Sequence, residues 1–241
     1  MEIIPIYFSK EIEPGDDLLE IIQKKAEIKE NDILVIAQKI ISKQEGRIVN
    51  LASVTPSLLA QGISSQYQKN PQIVELILSE SKKIVRMSNG ILIVETRNGF
   101  VCANAGIDES NVKKGFATLL PIDPDASAQK LRNEILKKNG KVVSIIISDT
   151  FGRPLRMGQT NCAIGVSGIK PILDYAGTVD NFGNILRVTA IAIADEICGA
   201  AELVSGKTNK CPVVIIRDYE YQINFSSIDE LIRTKEEDLF R

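Results

Sequence analysis

The chain has no histidine. General acid–base chemistry must then fall to Asp, Glu, Lys, Tyr or Cys, or be handed to a metal. Its four cysteines, Cys102, Cys162, Cys198 and Cys211, stand far apart and none forms a CxxC pair. A zinc or redox site therefore has little support, and the thiols read as small buried hydrophobes. A metal site built without imidazole or clustered thiolates must use oxygen ligands, which selects the hard cations Mg2+, Mn2+ or Ca2+. A dominant charge is lacking too: 31 acidic residues face 29 basic ones, so the chain as a whole is no electrostatic glove for nucleic acid. No apolar run approaches the roughly 18 residues needed to span a bilayer. The opening stretch, MEIIPIYFSKEIEPGDD, has no basic region ahead of its apolar residues, as a signal peptide would. The expected location is the cytoplasm, with no membrane partner. The two common nucleotide fingerprints, GxxxxGK followed by Ser or Thr and a GxGxxG after a strand, are missing.

What is present is ordinary globular material. With 44% hydrophobic and 25% charged residues over 241 positions, the chain can form one large domain or two small ones. Residues 3–8 (IIPIYF) read as a first strand, and Asp16 can cap a helix to about Lys25. Residues 33–37 (ILVIA) are a continuous apolar run, the mark of a buried strand. It leads into QKIISKQEGR, a polar, charge-bearing stretch. Pro56 to Gln68 and Pro71 to Lys82 each read as a helix opening on proline, which suits the first helical turn. Three short strands around two Asn-Gly turns, KIVRM, ILIVET and FVCANAG, predict a meander. A helix from about Asp125 to Lys138 stops at Gly140, and KVVSIIIS is a strand ending at Asp149. Then come strand NCAIGVSG, a turn at residues 181–184, strand ILRVT, a helix from about Ala190 to Val204, strand PVVIIR and an amphipathic tail helix, SSIDELIRTKEEDLFR, capped by Ser226 or Ser227. Strands and helices mix without strict βαβ alternation, linker or repeat. The reading is α+β: residues 1–241 as a single unit of two intertwined α/β subdomains with largely antiparallel or mixed sheets.

Four segments can carry chemistry. In residues 104–111 (NAGIDESN), Asp108 follows a strand, and small residues before it allow close approach of a ligand. On its own this segment reads as an Asx turn capping a loop. In residues 148–156 (SDTFGRPLR), Asp149 ends a buried strand, where ligands usually bind. Asp149 with the Thr150 hydroxyl makes an oxygen pair suited to Mg2+ bound to phosphates, and Arg153 and Arg156 offer forks to phosphate or carboxylate. The alternative is a surface turn with solvated arginines. After strand ILVIA, Lys39, Lys43 and Arg47 can face an anion, or form a solvated loop. Lastly, Asp195 and Glu196 interrupt an apolar helix that cannot hide both, so one is solvated and the other paired or liganded. The Gly206-Lys207-Thr208 tripeptide ends that helix rather than opening one, so it is no phosphate-binding P-loop.

NAGIDESN, SDTFGRP and DEICGAAELVSGK, in this order and at these separations, resemble the coenzyme F420-0:gamma-glutamyl ligases of archaea and the N-terminal domain of the bifunctional actinobacterial enzyme. The opening stretch with Pro5 and residues 15–18, and the IISKQEGR segment, fit the same pattern, so the resemblance covers essentially the whole chain. It implies a family-specific α+β ligase fold in two subdomains, a homodimer, and amide formation between L-glutamate and a carboxylate of coenzyme F420-0. It implies consumption of GTP to GDP and phosphate, assisted by two divalent cations, Mg2+ or Mn2+, and by K+. Carried over by position, Asp108 and Asp149 would ligate metal, Thr150 would join the second metal, and Arg153 would serve the catalytic centre. Gln38, Lys39, Lys43, Asn111 and the loop from Ser205 through Gly206, Lys207 and Thr208 to Pro212 would contact the nucleotide. Two departures stand out: relatives can have small hydroxyl residues at positions 38 and 39, and Asn209-Lys210 replaces the usual Asp-Gly before the last strand. The residues by themselves leave open a ligase for another carboxylate, a non-catalytic GTP-binding protein or a plain interaction module.

Overall fold

We describe residues 1–239 of a computed structural model of the protein. In chain order its first half comprises β1 (Glu2–Ile6), α1 (Leu18–Gln23), β2 (Ile33–Ala37), α2 (Gln38–Gln44), β3 (Ile48–Asn50), α3 (Leu58–Tyr67), α4 (Pro71–Ser79), β4 (Ser81–Ser88), β5 (Ile91–Thr96), β6 (Val101–Ala103) and β7 (Phe116–Thr118). Then follow α5 (Pro124–Asn139), β8 (Ser144–Arg153), β9 (Arg156–Ile169), β10 (Leu173–Asp174), β11 (Ala190–Ile191), α6 (Ile193–Ser205), β12 (Val213–Arg217) and β13 (Ile223–Asn224). The fold is α+β, as expected.

Six strands form the main sheet in the order β1-β12-β2-β8-β9-β13. Its neighbours are antiparallel except β2 and β8, which run parallel until Ala37 pairs with Ser148. Residues 33–36, 144–147 and 213–216 are buried at every position. Successive side chains leave opposite faces of a strand, so both faces of this sheet are covered. Helix α5 packs on β8 and β9, and α6 on β1, β12 and β9. A second cluster of buried side chains, centred on Ile77, Leu92 and Val94, lies where α3 and α4 meet the β4-β5-β6 meander and the β3-β7 pair. Arg47 ties the two together: its guanidinium bonds Glu80 at 2.6 Å, at the end of α4, and the Leu120 carbonyl at 2.9 Å.

The expected caps and turns are present with small shifts. Asp17 rather than Asp16 caps α1, accepting from the Glu20 N–H at 3.0 Å. Of the two helices expected to open on Pro56 and Pro71, only α4 does; α3 is capped by Ser57. Asn89 and Gly90 both take positive φ, as the first meander turn requires. Gly140 ends α5 at φ 65°.

Four segments differ from the sequence reading. QKIISKQ is not a polar loop but helix α2, with Ile40 and Ile41 packed into the core. Seven residues make a marginal helix alone, so burial and not propensity decides it. The strand expected to end at Asp149 continues to Arg153 as one arm of a long hairpin, because β9 supplies a partner beyond the end of β2. ILRVT is no strand; only a bridge at Ile185 and the short β10–β11 pair are formed there. The tail has one 3-10 turn, Ile228–Leu231 capped by Ser227, in place of a long helix; its last two positions, 240 and 241, lie outside the described residues.

A bulge bends β9 next to the site. Ile147 pairs with Gly165 and Ser148 with Ala163, leaving Ile164 as the extra residue. A Cβ on Gly165 would lie 2.6 Å from the Pro124 carbonyl carbon, at the start of α5. Backbone cannot swing aside as a side chain can. Gly165→Ala should therefore lower stability by about 1–3 kcal/mol, read from the denaturant midpoint, whereas an unchanged midpoint would show that α5 can shift freely.

Candidate active site

A cleft of about 850 Å3 opens where the parallel pair β2 and β8 parts. That is the size of a small-molecule site, at the carboxyl ends of parallel strands where ligands usually sit. Helix α2 starts directly from β2 without a side-chain cap, and its first residues line the cleft, leaving early N–H groups for an anion.

Asp149 is the first residue of β8 beyond the end of β2, beside the β9 bulge. Asp108 reaches the same cleft from the other core. Its backbone is fixed to β7 by reciprocal bonds with Thr118, of 3.1 and 2.9 Å. Just before it, Asn104, Ala105 and Gly106 all take positive φ, 54°, 56° and 68°. Asparagine tolerates this region, whereas Ala105 is strained by roughly 1–2 kcal/mol. Gly106 is doubly constrained, since a Cβ there would meet the Leu120 side chain at 2.7 Å.

The two carboxylates have opposite environments. Burial alone would raise the pKa of Asp108, but Lys39, at 2.6 Å, and two donors from Ser110 outweigh it and hold it below the ordinary value. Asp149 is pushed up to about 6, chiefly by burial, with Asp108 adding repulsion; the Thr150 N–H, Lys39 and Lys207 pull the other way.

The structure brings together most of the expected site residues. Asp108, Asp149, Thr150, Gln38, Lys39, Lys43, Asn111, Ser205, Gly206, Lys207 and Thr208 all line the cleft. Lys43 is buried, pairs with Glu11 and donates to the Asn111 carbonyl at 2.6 Å. Gln38 is committed inward, donating to Ser42 Oγ at 2.6 Å and the Leu119 carbonyl at 3.1 Å. Arg153 does not line the cleft: it sits near the hairpin tip, donating to the Met157 carbonyl at 2.7 Å. Arg156 is exposed beside it.

Sequence reasoning missed Glu11, Asn161 and Glu202. Glu202 accepts from Asn161 Nδ2 at 2.9 Å, and Lys207 donates to Asn161 Oδ1 at 3.1 Å. A signal for Glu202 existed. It stands seven residues after Asp195, hence on the same helical face. Asp195 accepts from the Ala163 N–H of β9 at 2.8 Å, while Glu196 is exposed, the split expected for that pair. The cysteines are free, and three of the four are buried.

The family model for F420-0:gamma-glutamyl ligase matches residues 8–218, nearly the whole chain. The chain belongs to the F420-0:gamma-glutamyl ligase family. Among relatives named coenzyme F420:L-glutamate ligase, that of Methanothermobacter thermautotrophicus is 45% identical over 95% of this chain and 88% of its own. That of Methanocaldococcus jannaschii is 46% identical over 89% and 86%, and that of Methanopyrus kandleri 39% over 100% and 98%. No helix among the described residues is long and apolar enough to cross a membrane.

The donors suit a hard cation that a substrate helps to hold. The described residues contain no group of three or more His, Cys, Asp or Glu able to bind a metal. Asp108, Asp149 and the Thr150 hydroxyl are the oxygen donors that would hold such a cation, with phosphate oxygens and water as further ligands. Without a metal, Asp149 is a burden to this F420-0:gamma-glutamyl ligase fold. Its folded pKa lies above the unfolded value, so its own contribution to stability is greatest below about 3.8 and declines as pH rises through about 6. Metal-free Asp149→Asn should thus be more stable than wild type at pH 8, by on the order of 1–3 kcal/mol. The gain should shrink toward pH 4 in paired thermal melts; a loss at pH 8 would show the charged carboxylate to be stabilising.

Proposed function

We propose that this protein joins L-glutamate to coenzyme F420-0 in a GTP-dependent reaction that passes through an acyl phosphate. The observation that carries the reading is the convergence of Asp108, Asp149 and Thr150 on a cleft lined by five lysines, Lys10, Lys39, Lys43, Lys207 and Lys210. It is supported by relatives named for this ligation. A carboxylate is a poor acylating agent, and phosphorylation converts one oxygen into a leaving group. That transfer needs positioning and charge neutralisation more than acid–base groups, as befits a chain without histidine.

In this reading Asp108, Asp149 and Thr150 would hold two Mg2+ or Mn2+ ions, with K+ assisting. Bound there, the cations would neutralise charge developing on the phosphates. Lys39, Lys43, Lys207 and the start of α2 bind and orient the nucleotide, along with Asn111 and the 205–212 loop. A carboxylate oxygen of the precursor attacks the γ-phosphorus, and the bond to the β-phosphate oxygen breaks, releasing GDP. The uncharged glutamate amine then attacks the acyl carbon. The carbon–oxygen bond to phosphate breaks, and phosphate leaves with one former carboxylate oxygen and can take the amine proton. A homodimer belongs to the same proposal. Leu155, Met157, Phe182 and Val188 are 91%, 96%, 91% and 92% exposed, apolar surface that a second copy can cover.

The test is direct. Purified protein with F420-0, L-glutamate, GTP and MnCl2 should give a product heavier by one or more glutamyl units in mass spectrometry, dependent on metal and nucleotide. Asp149→Asn should lower turnover by on the order of a hundredfold or more while still melting cooperatively. Full activity in that variant, or no mass shift with folded wild type, would refute the proposal.

A further inference from the structure

Lys207 has surroundings that nucleotide binding alone does not require. Its ammonium lies 2.7 Å from Thr150 Oγ1, 3.1 Å from Asn161 Oδ1 and 3.0 Å from Glu202 Oε1. These oxygens come from β8, β9 and α6, and they fix one another. Thr150 donates to Asn161 Oδ1 at 2.8 Å, and Asn161 Nδ2 and Ser205 Oγ donate to Glu202 Oε2 at 2.9 and 3.1 Å. A hydroxyl, an amide oxygen and a carboxylate converging on one positive point form the donor set of a hard cation. Here that point is filled by a side chain from an exposed loop that leaves α6 at Gly206. Lys207 is itself 58% exposed, so its ammonium can leave without disturbing the core. Lys39 engages Asp108 in a similar way, with Ser110 as second acceptor at 2.7 Å.

We propose that Lys207 is a resident counter-cation: it fills the Thr150–Asn161–Glu202 cradle while no metal is bound, and a divalent cation arriving with the nucleotide displaces it onto the phosphates. This rests on the reading above that a cation uses Thr150. Ammonium and divalent cation repel each other at contact distance and cannot share the cradle. Each needs the same oxygens, so they compete. Asn161 and Glu202 become positioning residues, shaping the cradle for whichever cation occupies it. The exchange also couples the ligands. Metal frees the lysine for phosphate, and phosphate draws the lysine away from the metal site, so each favours binding of the other.

Competition predicts opposite effects of one substitution on two ligands. The full chain would be titrated with Mn2+, following the free ion by electron paramagnetic resonance, with and without GTP. Without nucleotide, Lys207→Met should bind Mn2+ about tenfold more tightly, since it removes a competitor that occupies the cradle most of the time. The same variant should bind GTP more weakly. Lys210→Met removes an equal charge from the same cleft but no cradle contact, and should change Mn2+ affinity by less than about twofold. Adding Glu202→Gln to Lys207→Met should erase the gain. Unchanged or weaker Mn2+ binding in a normally melting Lys207→Met protein would overturn the inference, as would an equal gain in Lys210→Met or a gain that survives Glu202→Gln. Wild type that binds Mn2+ with GTP, beside a variant showing no gain, refutes this inference alone. Absence of Mn2+ binding by every protein, even with GTP, refutes the underlying reading as well.

Discussion

Two carboxylates that open into one cleft repel each other, and partial burial strengthens the repulsion by removing water. The rest of the site follows from how Asp108 and Asp149 are compensated. Asp108 receives Lys39 and two Ser110 donors and stays ionised with ease. Asp149 has mainly the Thr150 N–H and more distant lysines, so its ionisation is costly. A cleft with one satisfied and one unsatisfied acid attracts positive charge that can bind between them. Lysines meet part of that demand, and a hard cation would meet it more fully. Among the described residues no third acid joins these two in a group able to hold a metal, so phosphate oxygens would have to share in holding a cation there.

The fold holds this arrangement by devices that cost local stability. β8 outruns its parallel partner by five residues, which lifts Asp149 clear of the sheet centre. The β9 bulge shifts the register at that point, and the absence of a Cβ on Gly165 leaves room for Pro124. On the other wall, three successive left-handed residues turn the chain so that Asp108 faces the first acid. Neither wall is complete alone, because one belongs to the six-stranded sheet and the other to the loop between the meander and β7.

Much of this was legible in the sequence. Continuous apolar runs such as ILVIA and VVSIII announced strands buried on both faces, and the Asn-Gly turns announced the meander. The missing histidine pointed to oxygen chemistry before any motif was read, and Asp108, Asp149 and Thr150 do share one cleft. What escaped was set by tertiary contact. Helix α2 owes its existence to burial of Ile40 and Ile41, and its sequence is too short and polar to declare itself. Asp149 looked like a strand terminus because the apolar run stops there, yet β9 carries the ladder onward. Arg153 looked poised for phosphate beside that acid, and strand geometry takes it instead to the hairpin tip. Asn161 and Glu202 carry no motif; only the i, i+7 relation of Glu202 to Asp195 hinted at a shared face.

In the proposed reaction a precursor carboxylate takes the γ-phosphoryl group before glutamate attacks. This step is tested most directly by labelling both oxygens of that carboxylate with oxygen-18 and running the reaction with GTP, L-glutamate and Mn2+. Each turnover should release phosphate carrying one labelled oxygen, the other remaining in the new amide. Phosphate released without label, alongside normal glutamylated product, would contradict it and require activation by some route other than an acyl phosphate.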